Sequence, residues 1–130
     1  MTGSERVARQ FGGCPLAGRN EPLFTSFVAD YTEIVKLAVE EAIARRDRQV
    51  LPRLVVLARR AGDQDAVPQD LIAVHLSALA ALVRNKPGAM ARACVRHSRL
   101  LLVKLLGELA LYYRGRAAVR HQALTASTEK

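Results

Sequence analysis

The sequence predicts an all-α protein, a four-helix bundle-like domain that ends in a long C-terminal helix. Leucine, alanine and arginine are abundant, and all three rank high in helix propensity. Apolar residues recur at steps of three and four along most of the chain, which is the spacing of one helix face. Prolines and glycines divide this pattern into four segments, and the 130 residues suit one domain.

The first two helices are predicted from apolar spacing and from their ends. The first is expected from about Phe24 to Arg45, because its apolar residues share one face and its acidic residues mostly take the other. The second is expected to begin near Val50, since Pro52 is tolerated only in a first turn. It should end at Gly62, because two arginines lie in the last turn and a glycine stops the helix after them.

Pro68 is expected to open the third helix, and a run of loop-forming residues at 85–88 should end it. The fourth helix is predicted from about Ala89 to Ala118. Residues 1–21 and 119–130 show no apolar periodicity, so we expect them to be flexible tails. Residues 22–118 are then expected to form a single helical domain.

The stretch from Leu100 to Tyr113 is apolar on nearly all sides, so it must be covered on all sides. Three other helices can shield one side of it, and the same helix of a second subunit is the natural cover for the other. A glycine at position 107 costs about 1 kcal/mol relative to alanine, which a close helix crossing would explain. The alternative is an ordinary core helix with one poor helix former. The predicted homodimer interface comprises Leu101, Leu105, Gly107, Glu108 and Tyr112.

The sequence shows no set of residues that could form a catalytic site. His75 lies within an apolar run, where a catalytic or phosphoacceptor histidine is less expected than a half-buried one bonded to a neighbouring helix or loop. His97 and Ser98 are adjacent on a helix and point in different directions, so they form no dyad. Cys94 fits a small buried packing residue. No phosphate-binding loop and no metal-ligand spacing is present, so we expect no enzyme, no cofactor and no metal.

The net charge of +8 is concentrated in the second part of the chain. Residues 82–130 carry ten lysines and arginines against only two acids, Glu108 and Glu129. This asymmetry predicts a basic surface on the last helix. A nucleic acid is not the favoured partner, because aromatic residues are not interleaved with the charges. An acidic protein surface explains the basic patch as well. The predicted partner-binding residues are His75, Arg92, Arg96 and Arg99.

A cytoplasmic location is expected. The first 18 residues contain no apolar segment of a secretory signal. The apolar stretch at 100–113 is too short and too charged to span a bilayer. Cys14 and Cys94 fit free thiols in a reducing compartment better than a disulfide, although one disulfide is possible.

Two segments of the chain carry a pattern that goes beyond helix periodicity. The segment from Val67 to Leu79 follows a loop and contains a proline, an acidic residue and a helix of the form I-x-x-H-x-x-A-L, whose positions are Ile72, His75, Ala78 and Leu79. The segment from Leu100 to Arg114 is rich in leucine. Both segments resemble the N-terminal regulatory domain of RsbU-type serine phosphatases, the second being similar to its closing helix, and the resemblance covers about residues 24–116.

The resemblance implies a function. Members of this family are four-helix domains that dimerise through long helices and bind a kinase-like switch protein, whose docking activates an attached phosphatase domain. The C-terminal helical domain of the circadian clock protein KaiA is a distant relative in fold, and it binds a clock-type ATPase. No phosphatase-like sequence follows residue 116 here. We therefore expect a non-catalytic dimeric regulator in bacterial stress-response or circadian-type signalling, with a KaiA-like effector or a basic nucleic-acid-binding protein as alternatives.

Overall fold

The computed structural model describes residues 14–44 and 50–128, and within these ranges it contains helices and no strand. This confirms the predicted all-α bundle with a long C-terminal helix. The predicted last residue of the first helix, Arg45, lies outside the described residues. The helices are α1 (Leu16–Arg19), α2 (Glu21–Ala44), α3 (Val50–Asp63), α4 (Pro68–Val83) and α5 (Gly88–Thr128).

Helices α2 to α5 surround one hydrophobic core. α5 packs against α3 and α4 along its first part, and α2 packs against all three. Buried apolar residues of α2, α3 and α4 meet those of α5 in this core. The largest fully buried side chains include Phe27, Tyr31, Leu54, Leu71 and Leu105.

The packed unit begins before the predicted boundary. Leu16 is fully buried, and its backbone N–H donates a 2.9 Å hydrogen bond to Oδ1 of Asp70. The guanidinium of Arg19 donates to the carbonyl of Gln64. The prediction of a tail over residues 1–21 is therefore wrong for residues 16–21, while residues 1–13 lie outside the described residues. A helix of four residues has no periodicity from which it could be predicted.

Gly62 does not end α3 as predicted. The helix continues to Asp63, and the left-handed residue that follows a helix end is Asp65, with φ of 57°. A Cβ atom at position 62 would overlap the ring of Tyr112, which lies directly against the glycine. Gly62 is therefore required for the close approach of α5 to α3 and not for a turn.

The last helix is longer than predicted. α5 continues ten residues beyond Ala118, so residues 119–128 are helical and not an irregular tail. Its 41 residues span about 61 Å at 1.5 Å per residue, whereas the 24 residues of α2 span about 36 Å. Residues 117–126 are exposed. Across the described ranges, no helix has the length and hydrophobicity needed to span a membrane.

Candidate interaction surfaces

The inner side of α5 is covered by its own chain. Cys94, Ser98, Leu101, Leu105 and Leu109 follow one another at steps of three or four residues, and all are buried. Leu105 has no exposed surface at all. The prediction that Leu101 and Leu105 form the dimer interface is therefore wrong, since both side chains fill the core of a single bundle.

The opposite side of α5 is apolar and uncovered. Leu100, Val103 and Leu111 are 64%, 68% and 59% exposed, and Gly107 lies between them on the same side. We call these four residues the α5 stripe. Their spacing of i, i+3, i+7, i+11 places them in a line along one face of the helix, as in the seam of a coiled coil. A Cβ atom on Gly107 would meet no atom within 4 Å, so nothing within the bundle requires glycine there.

The rotation of α5 is fixed by contacts with the end of α3 and the loop after it. The hydroxyl of Tyr113 donates a 2.6 Å hydrogen bond to the carbonyl of Ala66. Arg116 donates to the carbonyl of Gly62 and lies 3.6 Å from the carboxylate of Asp65. These contacts hold one side of the helix against the bundle and leave the α5 stripe facing outward.

Tyr112 and Glu108 lie away from the centre of the α5 stripe. The hydroxyl of Tyr112 donates to the carboxylate of Asp63, and this hydrogen bond raises the pKa of Tyr112. Glu108 is half-buried and lines a shallow depression with Arg59 and Tyr112. Of the five residues predicted for the dimer interface, only Gly107 belongs to the uncovered stripe.

His75 is a core residue and not a surface residue. It is only 6% exposed, and its Nδ1 lies 2.7 Å from the hydroxyl of Tyr31. That hydroxyl also lies 3.2 Å from the carbonyl of Ser98, so the three residues join α2, α4 and α5. The prediction of a partner-binding His75 is wrong, because no partner can reach a side chain at this depth. The expectation that His75 is bonded to a neighbouring helix is confirmed.

The burial of His75 predicts a loss of stability in acid. Burial lowers the pKa of His75, so the folded state favours the neutral ring, whereas the unfolded chain takes up a proton near pH 6.5. The free energy of unfolding should therefore be unaffected by this group above about pH 7 and should fall as the pH drops below about 6.5. The slope contributed by one such group is at most about 1.4 kcal/mol per pH unit. Urea unfolding followed between about pH 7.5 and pH 5 measures it.

The matched control for this prediction is His75→Gln, which keeps a polar side chain and removes the titration. The variant should be less stable than the natural protein at neutral pH, yet its stability should fall less steeply in acid. Equal slopes for both proteins would contradict the assignment of the acid effect to His75.

The predicted arginine patch lies at the surface. Arg92, Arg96 and Arg99 are all exposed, and none of them forms an ion pair with any residue in the described ranges. Arg96 lies one turn before Leu100, and Arg99 lies one turn before Val103. The patch, which we call the arginine cluster, therefore adjoins the N-terminal end of the α5 stripe.

Sequence reasoning missed Leu100, Val103 and Leu111 as interface candidates. The signal that could have found them is the four-residue repeat of Leu101, Leu105 and Leu109, which defines one buried face and leaves the other leucines opposite it. The α4 face that carries Ile72 and Leu76 was also missed, and it too is exposed.

No cofactor or metal arrangement emerges from the parts of the chain that are described. Residues 14–44 and 50–128 hold no group of three histidine, cysteine, aspartate or glutamate side chains that could bind a metal ion. Cys14 is exposed, Cys94 is buried, and both are free thiols. Ser98 donates its hydroxyl proton to the carbonyl of Val95. Comparison with known families, with characterised proteins and with solved structures finds no match for this chain.

Proposed function

We propose that this chain is a non-catalytic, dimeric regulatory protein of the bacterial cytoplasm that binds a kinase-like switch protein in stress-response or circadian-type signalling. The observation that carries the proposal is the uncovered α5 stripe of Leu100, Val103, Gly107 and Leu111. The occupant of this surface is a second copy of the chain, paired through the same helix.

Burial of the α5 stripe supplies the energy for pairing. Three large apolar side chains, each more than half exposed, lie within three turns of one helix. Fully burying a leucine or valine side chain contributes about 1.5 to 3 kcal/mol relative to leaving it exposed. In a symmetric dimer both subunits contribute the same three side chains. Part of this gain is offset by the lost freedom of the two chains. The stripe therefore favours pairing, and the affinity is set by the balance of these two contributions.

Gly107 supports pairing at the α5 stripe for a separate reason. A glycine within a helix costs about 1 kcal/mol relative to alanine. At Gly62 the cost is explained by the ring of Tyr112, but the bundle offers no such neighbour at Gly107. A helix from a second copy, approaching closely at this point, gives the glycine a structural role.

The arginine cluster is the proposed contact for the switch protein. Three exposed arginines without acidic partners favour an acidic surface, which they can hold by charge-assisted hydrogen bonds. The resemblance to the RsbU-type regulatory domain suggests that a kinase-like protein carries this acidic surface. A clock-type ATPase is the alternative. A nucleic acid is the less favoured partner, because Tyr31, Tyr112 and Tyr113 are engaged within the bundle and are not free to stack on bases.

The experiment is to replace Val103 with aspartate and to measure the mass in solution by light scattering. The natural protein should be a dimer at micromolar concentration. The variant should dissociate at least about 100-fold more readily, because a charge would be buried at the centre of the interface. In the same samples, binding to a purified kinase-like switch protein from the same cell should be retained by the dimer and lost when Arg92, Arg96 and Arg99 are replaced with glutamate.

Val56→Asp is the matched control. Val56 is 55% exposed on α3, so the substitution is the same in chemistry and similar in exposure. It should leave the dimer intact. A natural protein that is monomeric at micromolar concentration would refute the proposal, as would equal effects of the two substitutions.

A further inference from the structure

The charges beside the α5 stripe define how two copies meet. We infer that the two α5 helices pair in antiparallel orientation, with Gly107 of each on the two-fold axis. The inference rests on the proposed dimer and adds its orientation, its centre and the placement of the arginine clusters.

A parallel pair would bring like charges together. Arg96 and Arg114 lie on the same side of α5 as the α5 stripe, one near each end of it, and Arg99 and Lys104 lie at its edges. In a parallel pair about a two-fold axis, every residue of the stripe meets its own copy. Arg96 and Arg114 would then each face an identical cation across the helix pair, and Arg99 would lie on the same side of the pair as Lys104 of the other subunit. Glu108 is the one acid in the described part of α5, so no carboxylate of that helix could neutralise them all.

An antiparallel pair centred on Gly107 removes this conflict. Residues at equal distances before and after position 107 then lie opposite each other. Arg96 faces Ala118, Arg99 faces Gly115 and Arg114 faces Leu100, so none of these arginines meets another cation. Val103 faces Leu111, which places two of the three exposed apolar side chains of the stripe against each other.

The position of Gly107 within α5 fits the same arrangement. The helix runs from residue 88 to residue 128, so Gly107 lies within one residue of its midpoint. An antiparallel pair centred there overlaps along almost the whole helix. The exposed residues 117–126, which reach past most of the bundle contacts, come to lie beside the first turns of the other α5. Two glycines facing each other at the axis allow the closest approach of the two backbones.

The arrangement separates the two arginine clusters. Arg96 of one subunit and its copy are 22 residues apart along the paired helices, which is about 33 Å at 1.5 Å per residue. In a parallel pair the same two residues would be separated by little more than the distance between helix axes, about 8 to 10 Å. The antiparallel dimer therefore presents one arginine cluster at each end and has two equivalent sites for an acidic partner.

The test uses cysteines placed on the α5 stripe in a Cys14→Ser, Cys94→Ala background. In the antiparallel pair, a mixture of Val103→Cys and Leu111→Cys chains should form a mixed disulfide on mild oxidation. Val103→Cys alone should not cross-link, because the two copies of residue 103 are about 12 Å apart along the helices and a disulfide needs Cα atoms within about 7 Å. Light scattering on the reduced samples shows whether each variant is still a dimer.

A spin label on Arg96→Cys gives a second measurement that leaves the α5 stripe intact. The distance between the two labels should be about 30 Å or more in the antiparallel dimer and well under 20 Å in a parallel one. Efficient cross-linking of Val103→Cys alone, or a short label distance, would overturn the orientation while leaving the dimer standing. A dimer that cross-links neither as Val103→Cys alone nor in the mixture with Leu111→Cys overturns the inference as well. A natural protein that is monomeric refutes the proposed function itself.

Discussion

Replacing Asp70 with alanine lowers the free energy of unfolding by about 3 kcal/mol. The carboxylate of Asp70 is buried and accepts two backbone hydrogen bonds, from the N–H of Leu16 and from the N–H of Val67, each 2.9 Å long. A hydrogen bond to a charged group contributes about 1.5 to 3 kcal/mol, and both donors would be left without a partner. The second of the two bonds also caps the first turn of α4.

Urea unfolding followed by far-ultraviolet circular dichroism measures this loss, since the chain has no tryptophan to serve as a fluorescent reporter. Asp30→Ala is the matched control. Asp30 forms an ion pair with Arg60 at the surface, and such a pair contributes about 0 to 1 kcal/mol. Similar losses for the two variants would show that Asp70 acts only as one more surface charge.

Hydrogen exchange locates the effect of Asp70→Ala within the chain. The amide protons of Leu16 and Val67 should exchange faster than in the natural protein, because their acceptor has been removed. The amides of the core residues of α2 and α5 should change only in proportion to the global loss of stability. A uniform change over all amides would contradict a local role for Asp70 in holding α1 against α4.

The positions of the four long helices were predictable because they depend on local patterns. Pro68 opens α4 as predicted, and the apolar spacing of α2 and α3 placed both helices to within a few residues. Such signals lie within a few turns of the element they define. The bond from Leu16 to Asp70 joins residues 54 positions apart, and no local pattern contains it.

The interaction surface was only partly predictable for a similar reason. The apolar stretch at 100–113 correctly indicated that α5 has more apolar surface than one bundle can cover. The four-residue repeat of Leu101, Leu105 and Leu109 is one sequence signal for the inward face, but Leu102 and Leu106 have the same spacing. The contacts of Tyr113 and Arg116 with the end of α3 and the loop after it decide which set turns inward. The same sequence rotated by a fraction of a turn would bury a different set of leucines. The exposure of Arg92, Arg96 and Arg99 was easier to predict, because charged side chains avoid the core whichever way the helix is rotated.

Leu105→Ala should lower the stability of the fold without acting at the proposed dimer interface. Leu105 has no exposed surface, and truncating a buried leucine to alanine costs about 2 to 5 kcal/mol through lost burial and the cavity that remains. Leu100→Ala makes the same chemical change five residues earlier, at a side chain that is 64% exposed. This variant should keep the stability of each subunit within about 0.5 kcal/mol, and it should weaken self-association.

The two variants separate the core of α5 from its uncovered face. Association stabilises a folded dimer, so unfolding must be followed over a range of protein concentrations. Light scattering on the same samples measures the fraction of dimer. Leu105→Ala should shift the unfolding midpoint at every concentration. Leu100→Ala should reduce the dependence of the midpoint on concentration. The reverse pattern, a stable Leu105→Ala monomer and a strongly destabilised Leu100→Ala, would mean that α5 turns its other face to the core.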